Sequence, residues 1–296
     1  MTRPKFIIYA PTFNDTSGGE IALHHLCSRL NDVGEDACVW AVRPDILHGW
    51  PSLRNMAYRA KGWLRPYSTG PFANPIARRA DLQDAIVVYP ETTFGNPLRA
   101  RNVVRWLLNK PGALSQGRMQ YGHNDLYFFF QAAFDDPSLN SDPTNQLMLH
   151  WVNPIYRDRG LPGRRGTCHM MRKGAGRPIV HGPDSIAVDG LSHDEMADVF
   201  NRTERFYCYD LYTFYTIYAA RCGCIPIVVP DPAIPKDKWI TLPKDRYGVA
   251  YGEDDIPWAL ATRHELFRQG DAEHANEDDM ITTFVAKCMR KFGYSG

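Results

Sequence analysis

No stretch of this 296-residue chain stays apolar for the roughly 20 residues that a helix needs to cross a bilayer. The opening sequence MTRPKFIIYAP holds an apolar run of strand length, too short for the core of a signal peptide. An excess of one charge is also missing. Lys and Arg number 34 and Asp and Glu 33, leaving a net charge of +1. That balance excludes a nucleic-acid binder relying on many uncompensated cations. Seven cysteines, an odd number without a paired framework, point to reduced thiols in a cytoplasmic protein. Cys222-x-Cys224 is spaced too tightly for a zinc knuckle and has no second Cys or His pair, so it reads as small side chains packing helix on strand. His24 and His25 point about 100° apart on a helix and cannot chelate one ion without a third ligand. Neither G-x-G-x-x-G nor a Walker loop occurs, and no convincing D-x-D pair offers a metal site.

What is present is a globular composition, 44% hydrophobic and 23% charged, in a length that suits two domains. Strand and helix signals alternate, which predicts an α/β architecture. Strands are expected at 6–10, 37–42 and 85–89, with a helix opened by Gly18-Gly19 and closed near Gly34. A helix is expected at 97–108, with Asn96 as its cap and Pro97 in its first turn. Further strands are expected at 126–130 and 147–152, and the run Tyr127-Phe128-Phe129-Phe130 reads better as buried strand than as interface. Residues 44–82, rich in Pro, Arg and Trp, read as an irregular excursion with a short helix. The charged, turn-rich segment 157–166 marks a domain junction, dividing the chain into 1–160 and 161–296. Beyond it come strands at 167–171 and 177–180, a helix opened by the Ser192-His-Asp-Glu195 capping box, a strand at 248–251, and helices at 256–269 and 278–292. The last of these is a candidate to pack back on the first domain. Two α/β halves imply a cleft between them where a ligand is held.

The most informative stretch is 206–230, FYCYDLYTFYTIYAARCGCIPIVVP. A short strand, an acidic turn at Asp210, a helix and a second buried strand follow one another with almost no loop, a compact βαβ unit of a parallel sheet. Ligands of such sheets lie beyond the strand carboxyl ends, where Asp210 and Thr213 fall, and a helix N-terminus there offers N–H groups to anionic oxygens. Capping by Asp210 and hydroxyl recognition are compatible roles. A second candidate is Thr16-Ser17-Gly18-Gly19-Glu20, between the first strand and its helix. Its glycines either let a ligand approach the backbone or merely shape a tight turn. A third is Met171-Arg172-Lys173-Gly174, where two cations at a strand end either neutralise a diphosphate or stand in solvent. A fourth is Glu91, a hydroxyl ligand or base, or else a loop carboxylate paired with Arg99 or Arg105.

Taken together, SGGEIALHHLCSRL, YPE…GNP…VVRWLLNKPG, MRKG and YDLYT…YAARCGCIPIVV resemble the GT-B glycosyltransferases. The likeness extends over most of the chain, and the nearest relatives are family 4-like bacterial enzymes that extend surface polysaccharides, rhamnosyl transferases included. It implies two Rossmann-like domains facing each other across a cleft, the first taking the acceptor and the second the nucleotide sugar. It implies a glycine turn (Ser17, Gly18, Gly19) facing donor phosphate and acceptor, and a diphosphate held by Arg172 and Lys173. The family's Glu-x7-Glu pair falls on Asp210 and Tyr218, so the second carboxylate is replaced. Cations and a helix N-terminus near Thr213 would stabilise the leaving nucleoside diphosphate, with no divalent metal and no other cofactor. If transfer inverts, Asp15, Glu20 and Glu91 are the candidate bases; if it retains, the phosphate itself takes the proton.

The expected substrates are a UDP-, GDP- or dTDP-linked sugar and a saccharide acceptor. Two other functions remain open on the same scaffold: a non-catalytic nucleotide- or glycan-binding protein, and a nucleotide-sugar epimerase. Residues 58–80, basic and Trp-containing, either touch the anionic inner face of a membrane or form a solvated loop. The oligomeric state is left open.

Overall fold

The computed structural model describes residues 3–43, 66–113, 119–174, 176–240 and 242–294. The chain forms two compact units, one of Met1–Trp151 with His274–Gly296 and one of Val152–Glu273. Each is built on a five-stranded, fully parallel sheet. The α/β class expected from the alternating signals is what the chain adopts.

In the first unit β1 (Phe6–Pro11), α1 (Gly18–Asp32), β2 (Ala37–Val42), β3 (Ile86–Pro90), β4 (Asn102–Leu107) and β5 (Leu126–Phe129) follow in chain order, and the strands lie in the order β2-β1-β3-β4-β5. Parallel sheets are covered on both faces, so their strands are apolar on both sides. Phe6, Ile8, Ile86, Val88, Val104 and Trp106 face a core shared with Leu23, Leu26 and Leu30 of α1. Ile281, Phe284 and Cys288 from the end of the chain complete that core. Ile7, Cys38, Val87, Tyr89 and Val103 pack on the opposite face. Tyr127, Phe128 and Phe129 are buried, as expected.

Two expectations fail here. Residues 97–108 hold a strand, β4, in place of a helix. All six residues of Asn102–Leu107 are buried, so the run carries no one-sided helical stripe, and β-branched Val103 and Val104 suit the pleat. Asn96 therefore caps a turn: its Oδ1 accepts from the Ala100 amide at 2.9 Å and its Nδ2 donates to the Ala100 carbonyl at 2.7 Å. Residues 147–152 form no strand; beyond β5 the sheet is continued by a bridge from Gln146 to Phe129. Of the excursion at 44–82, residues 44–65 lie outside the described residues, and the rest contributes two 3-10 turns, Gly70–Phe72 and Arg79–Leu82. The membrane-contact stretch 58–80 is likewise only described from residue 66.

The second unit runs β6 (Thr167–Met170), β7 (Ile186–Ala187), α2 (His193–Arg202), β8 (Arg205–Cys208), α3 (Tyr215–Arg221), β9 (Ile225–Val228), α4 (Lys236–Trp239) and β10 (Ala250–Tyr251), and its sheet has the order β10-β9-β8-β6-β7. The Ser192–Glu195 capping box forms as expected, each side chain bonding the other residue's amide. The strand expected at 177–180 does not form. Pro178 lacks an amide for the ladder, and the Val180 amide donates instead to the Tyr209 hydroxyl at 2.9 Å. The two C-terminal helices are one, α5 (Ile256–Phe292). Gly270 lies inside it at a cost of about 1 kcal/mol, which its helix-forming neighbours Ala272, Ala275 and Glu277 absorb.

Candidate functional site

Numbered within its own unit, each sheet has the strand order 2-1-3-4-5. The chain first steps to one side of its opening strand and then crosses to the other, so the loops leaving strands one and three diverge and open a crevice at the carboxyl edge. In the first unit this switch point lies between β1 and β3, and in the second between β6 and β8. All four sequence-selected segments lie at these two places.

At the first switch point Ser17 caps α1, its Oγ accepting from the Glu20 amide at 3.4 Å. Gly18 and Gly19 do not have positive φ, and a Cβ on Gly18 would meet nothing within 4 Å. Backbone conformation therefore does not require either glycine, and the turn-shaping explanation falls away. Glu91, just past β3, is 6% exposed, and its Oε2 accepts from the Leu108 amide at 3.0 Å. Leu108 in turn sits 3.8 Å from where a Gly19 Cβ would be, so Glu91 and the glycine turn share a neighbour. Burial pushes the Glu91 carboxyl above the ordinary glutamate value, against the smaller opposing pull of the Leu108 amide. Half-buried Glu20 is raised for the same reason, with Asn14 opposing. Asp15 lies exposed on the loop before α1. Glu91 is not the partner of Arg105, which binds Asp125 through Nε at 2.8 Å.

At the second switch point Arg172 follows β6 with φ of 35°, a left-handed conformation that strains a residue bearing a Cβ. Its side chain is exposed, with the guanidinium carbon 5.1 Å from the Tyr215 ring centre, a cation–π contact. The amides of Met171 and Arg172 donate to the two oxygens of Asp189 at 2.8 and 3.0 Å. These amides are thus satisfied internally, and an anion here would meet side chains. Gly174 is required sterically, because a Cβ would lie 2.3 Å from the Tyr209 carbonyl oxygen. Lys173 adjoins Arg172 in the chain, and its side chain is outside the described set.

Asp210 is 4% exposed and its Oδ1 accepts from the Tyr212 amide at 3.2 Å. It closes this turn and does not cap α3, whose N-cap position is Phe214 with no side-chain capping bond. Thr213 serves the helix start: its Oγ1 accepts from the Tyr215 amide at 3.4 Å, and its carbonyl accepts from Thr216 at 3.0 Å. Thr213 also lines a cavity of about 320 Å³ with Tyr212, Phe214, Trp239 and Asp245. Tyr212 and Phe214 are 59% and 66% exposed, large values for aromatic rings. A larger cavity, about 490 Å³, is lined by Arg3, Glu35 and Arg290. Arg3 and Glu35 precede β1 and β2, so it lies away from the carboxyl edge of its sheet. Tyr218, at the position of the family's second acid, is buried and stacks on Tyr156 with ring centres 4.1 Å apart.

Arg177 was not anticipated as a site residue. Its Nη1 donates to the Tyr209 carbonyl at 2.8 Å and its Nη2 lies 3.6 Å from Asp231, so it bridges the ends of β8 and β9. Placing 177–180 in a strand hid it, although Gly174 and Gly176 before it already signalled an irregular loop. Burial pushes Cys38 up to about 11 and Cys208 and Cys222 to about 12, so these three thiols are poor nucleophiles. Among the described residues no group of three or more His, Cys, Asp or Glu is placed to hold a metal ion. Among them, too, no helix is long and apolar enough to cross a membrane.

No protein-family model matches the chain, and no curated protein matches it. Among solved structures it is similar to a UDP-N-acetylglucosamine 2-epimerase of Listeria monocytogenes, with 10% identity, 95% of this chain and 91% of that one covered, and a TM-score of 0.33. It is also similar to the spinosyn rhamnosyltransferase SpnG with its aglycone, with 10% identity, coverage of 98% and 97%, and a TM-score of 0.35. T4 phage BGT with UDP-glucose gives 6% identity, coverage of 98% and 97%, and a TM-score of 0.37. None of these scores reaches 0.5, and the α/β assignment rests on the two sheets themselves.

Proposed function

We propose that this chain is a metal-independent, GT-B-type glycosyltransferase. It would move a sugar from a nucleoside diphosphate to a saccharide acceptor in surface polysaccharide or glycan synthesis. The observation that carries the reading is the second switch point, where exposed Arg172 and the Asp210–Thr213 turn flank one crevice edge beside a cavity of about 320 Å³. In this reading the acceptor hydroxyl oxygen attacks the anomeric carbon, the carbon–oxygen bond to the diphosphate breaks, and negative charge grows on the leaving phosphate. Arg172, with Lys173 beside it in sequence, would meet that charge, while Arg177, paired with Asp231, would hold the ends of β8 and β9 in place beside them. The hydroxyl proton goes to a carboxylate if the anomeric carbon inverts. Glu91 suits that task best, because a buried carboxyl of raised pKa is a stronger base than an exposed one; Glu20 and Asp15 are the other candidates. If the carbon is retained, the leaving phosphate takes the proton. The seven cysteines, all free thiols, fit a reducing cytoplasmic setting that belongs to the same proposal.

Calorimetric titration with UDP, GDP and dTDP tests it: binding of one of them is expected, and its loss in Arg172→Glu and Lys173→Glu with the fold intact. No heat with any of the three at millimolar concentration would overturn the reading. The Tyr156–Tyr218 stack, standing where the family carries a carboxylate, favours a second reading as a non-catalytic nucleotide- or glycan-binding protein. Nucleotide binding without donor turnover across a broad acceptor panel would select it. Conversion of the donor with no acceptor present would instead select an epimerase.

A further inference from the structure

Arg105 is a fully buried cation in the middle of the first unit, and all three of its nitrogens donate to neighbours. Nε binds Asp125 at 2.8 Å, Nη1 donates to the Thr93 carbonyl at 2.8 Å, and Nη2 donates to the Gly95 carbonyl. The guanidinium lies between two rings, 4.9 Å from the centre of Tyr89 and 5.1 Å from that of Tyr121. Tyr121 in turn donates its hydroxyl to the Glu91 carbonyl at 2.7 Å. The loop that leaves β3 is therefore pinned at residues 91, 93 and 95 by one cation and the ring stacked on it. The Thr93 amide closes the turn back to Pro90 at 3.0 Å, leaving Glu91 at its corner.

The geometry points to Arg105 as the positioning residue for Glu91: by fixing the 91–95 loop it holds the Glu91 carboxyl inward against the Leu108 amide at the first switch point. This rests on the reading of Glu91 as the proton acceptor. Asp125 is essential to the arrangement. Because Asp125 neutralises the guanidinium, Arg105 orders the loop without lending its charge to Glu91, whose carboxyl stays desolvated and protonatable. Lysine cannot replace it, since a single ammonium cannot reach two carbonyls and a carboxylate in one plane or stack between two rings.

The test reads the Glu91 carboxyl directly, by carbon NMR titration of glutamate-labelled protein, with Glu91→Gln assigning the resonance. In Arg105→Lys the midpoint is expected to fall toward the ordinary glutamate value as water enters, and in Tyr121→Phe to fall less in the same direction. An unchanged midpoint in folded Arg105→Lys overturns the proposal. If Arg105→Lys does not fold, as judged by near-ultraviolet circular dichroism, Tyr121→Phe decides alone, and an unchanged midpoint there overturns it. A merely structural Arg105 would lower Tm and leave the midpoint alone. No nucleotide or sugar is needed, so a failed UDP, GDP and dTDP titration would sink the transferase reading and leave this result standing.

Discussion

Two glycines, one at each switch point, have different reasons for being there. Gly174 has Tyr209 backbone where its Cβ would go, so Gly174→Ala must move the main chain and is expected to cost about 1–3 kcal/mol, read as a drop in Tm. Gly18 has open space and ordinary φ, so Gly18→Ala should leave the fold as stable or up to about 1 kcal/mol more stable. If the turn approaches a ligand, the same change weakens acceptor or donor binding at unchanged Tm, a separation calorimetry would show. Glu91 makes a pH prediction. Its folded pKa is raised, so the protonated form favours the fold below the ordinary glutamate value, and that contribution disappears as pH rises through the raised one. Urea midpoints across that window should fall more steeply in wild type than in Glu91→Gln, whose amide oxygen can still accept from Leu108. Parallel slopes would show that the carboxyl is not desolvated.

Elements with one strong local signal were legible in the sequence. β1, α1, β2 and β3 were found within a residue or two at most ends, as was β8–α3–β9, because apolar strands alternate with a one-sided helix and turn residues punctuate them. β4 was not, because a strand buried on both faces has no period to separate it from a buried helix, and Pro97 suggested the wrong one. A helix start near Thr213 was legible from its place after a strand, but the sequence points to Asp210 as its cap, whereas the bonds are made by Thr213; Arg177 and Arg105 were not legible, since their partners lie distant in sequence. The loop after β5 shows what such remote partners do. Lys287 of α5 donates to Asp142 at 3.0 Å, to Thr144 and to Asn145, and the Thr144 hydroxyl and amide with Lys287 hold Asp142 down at about 2. A depressed carboxyl contributes stability above its unfolded value that is lost as pH falls toward about 2. Asp142→Asn should therefore flatten the acid limb of the stability curve between roughly pH 4 and 2, measured by urea unfolding.

For the molecule as a whole, the decisive fact is that the first unit takes its core from both ends of the chain. Ile281, Phe284, Val285, Cys288 and Met289 are buried against β1, β2 and α1, and Phe284 rests on Phe6 and Phe128 with ring centres 5.8 and 4.8 Å away. Each of the larger side chains brings about 1.5–3 kcal/mol of apolar transfer, so together they are comparable to the net stability of an ordinary domain. The first unit can then close only after the last turns of α5 are made, whereas every strand of the second sheet lies within 152–273. A chain ending at residue 273 should leave the apolar face of the first sheet open. It is expected to bind a hydrophobic dye, and the Trp106 near-ultraviolet signal should be lost. Retention of that Trp106 signal in the truncated chain would show that the first unit closes without its C-terminal segment.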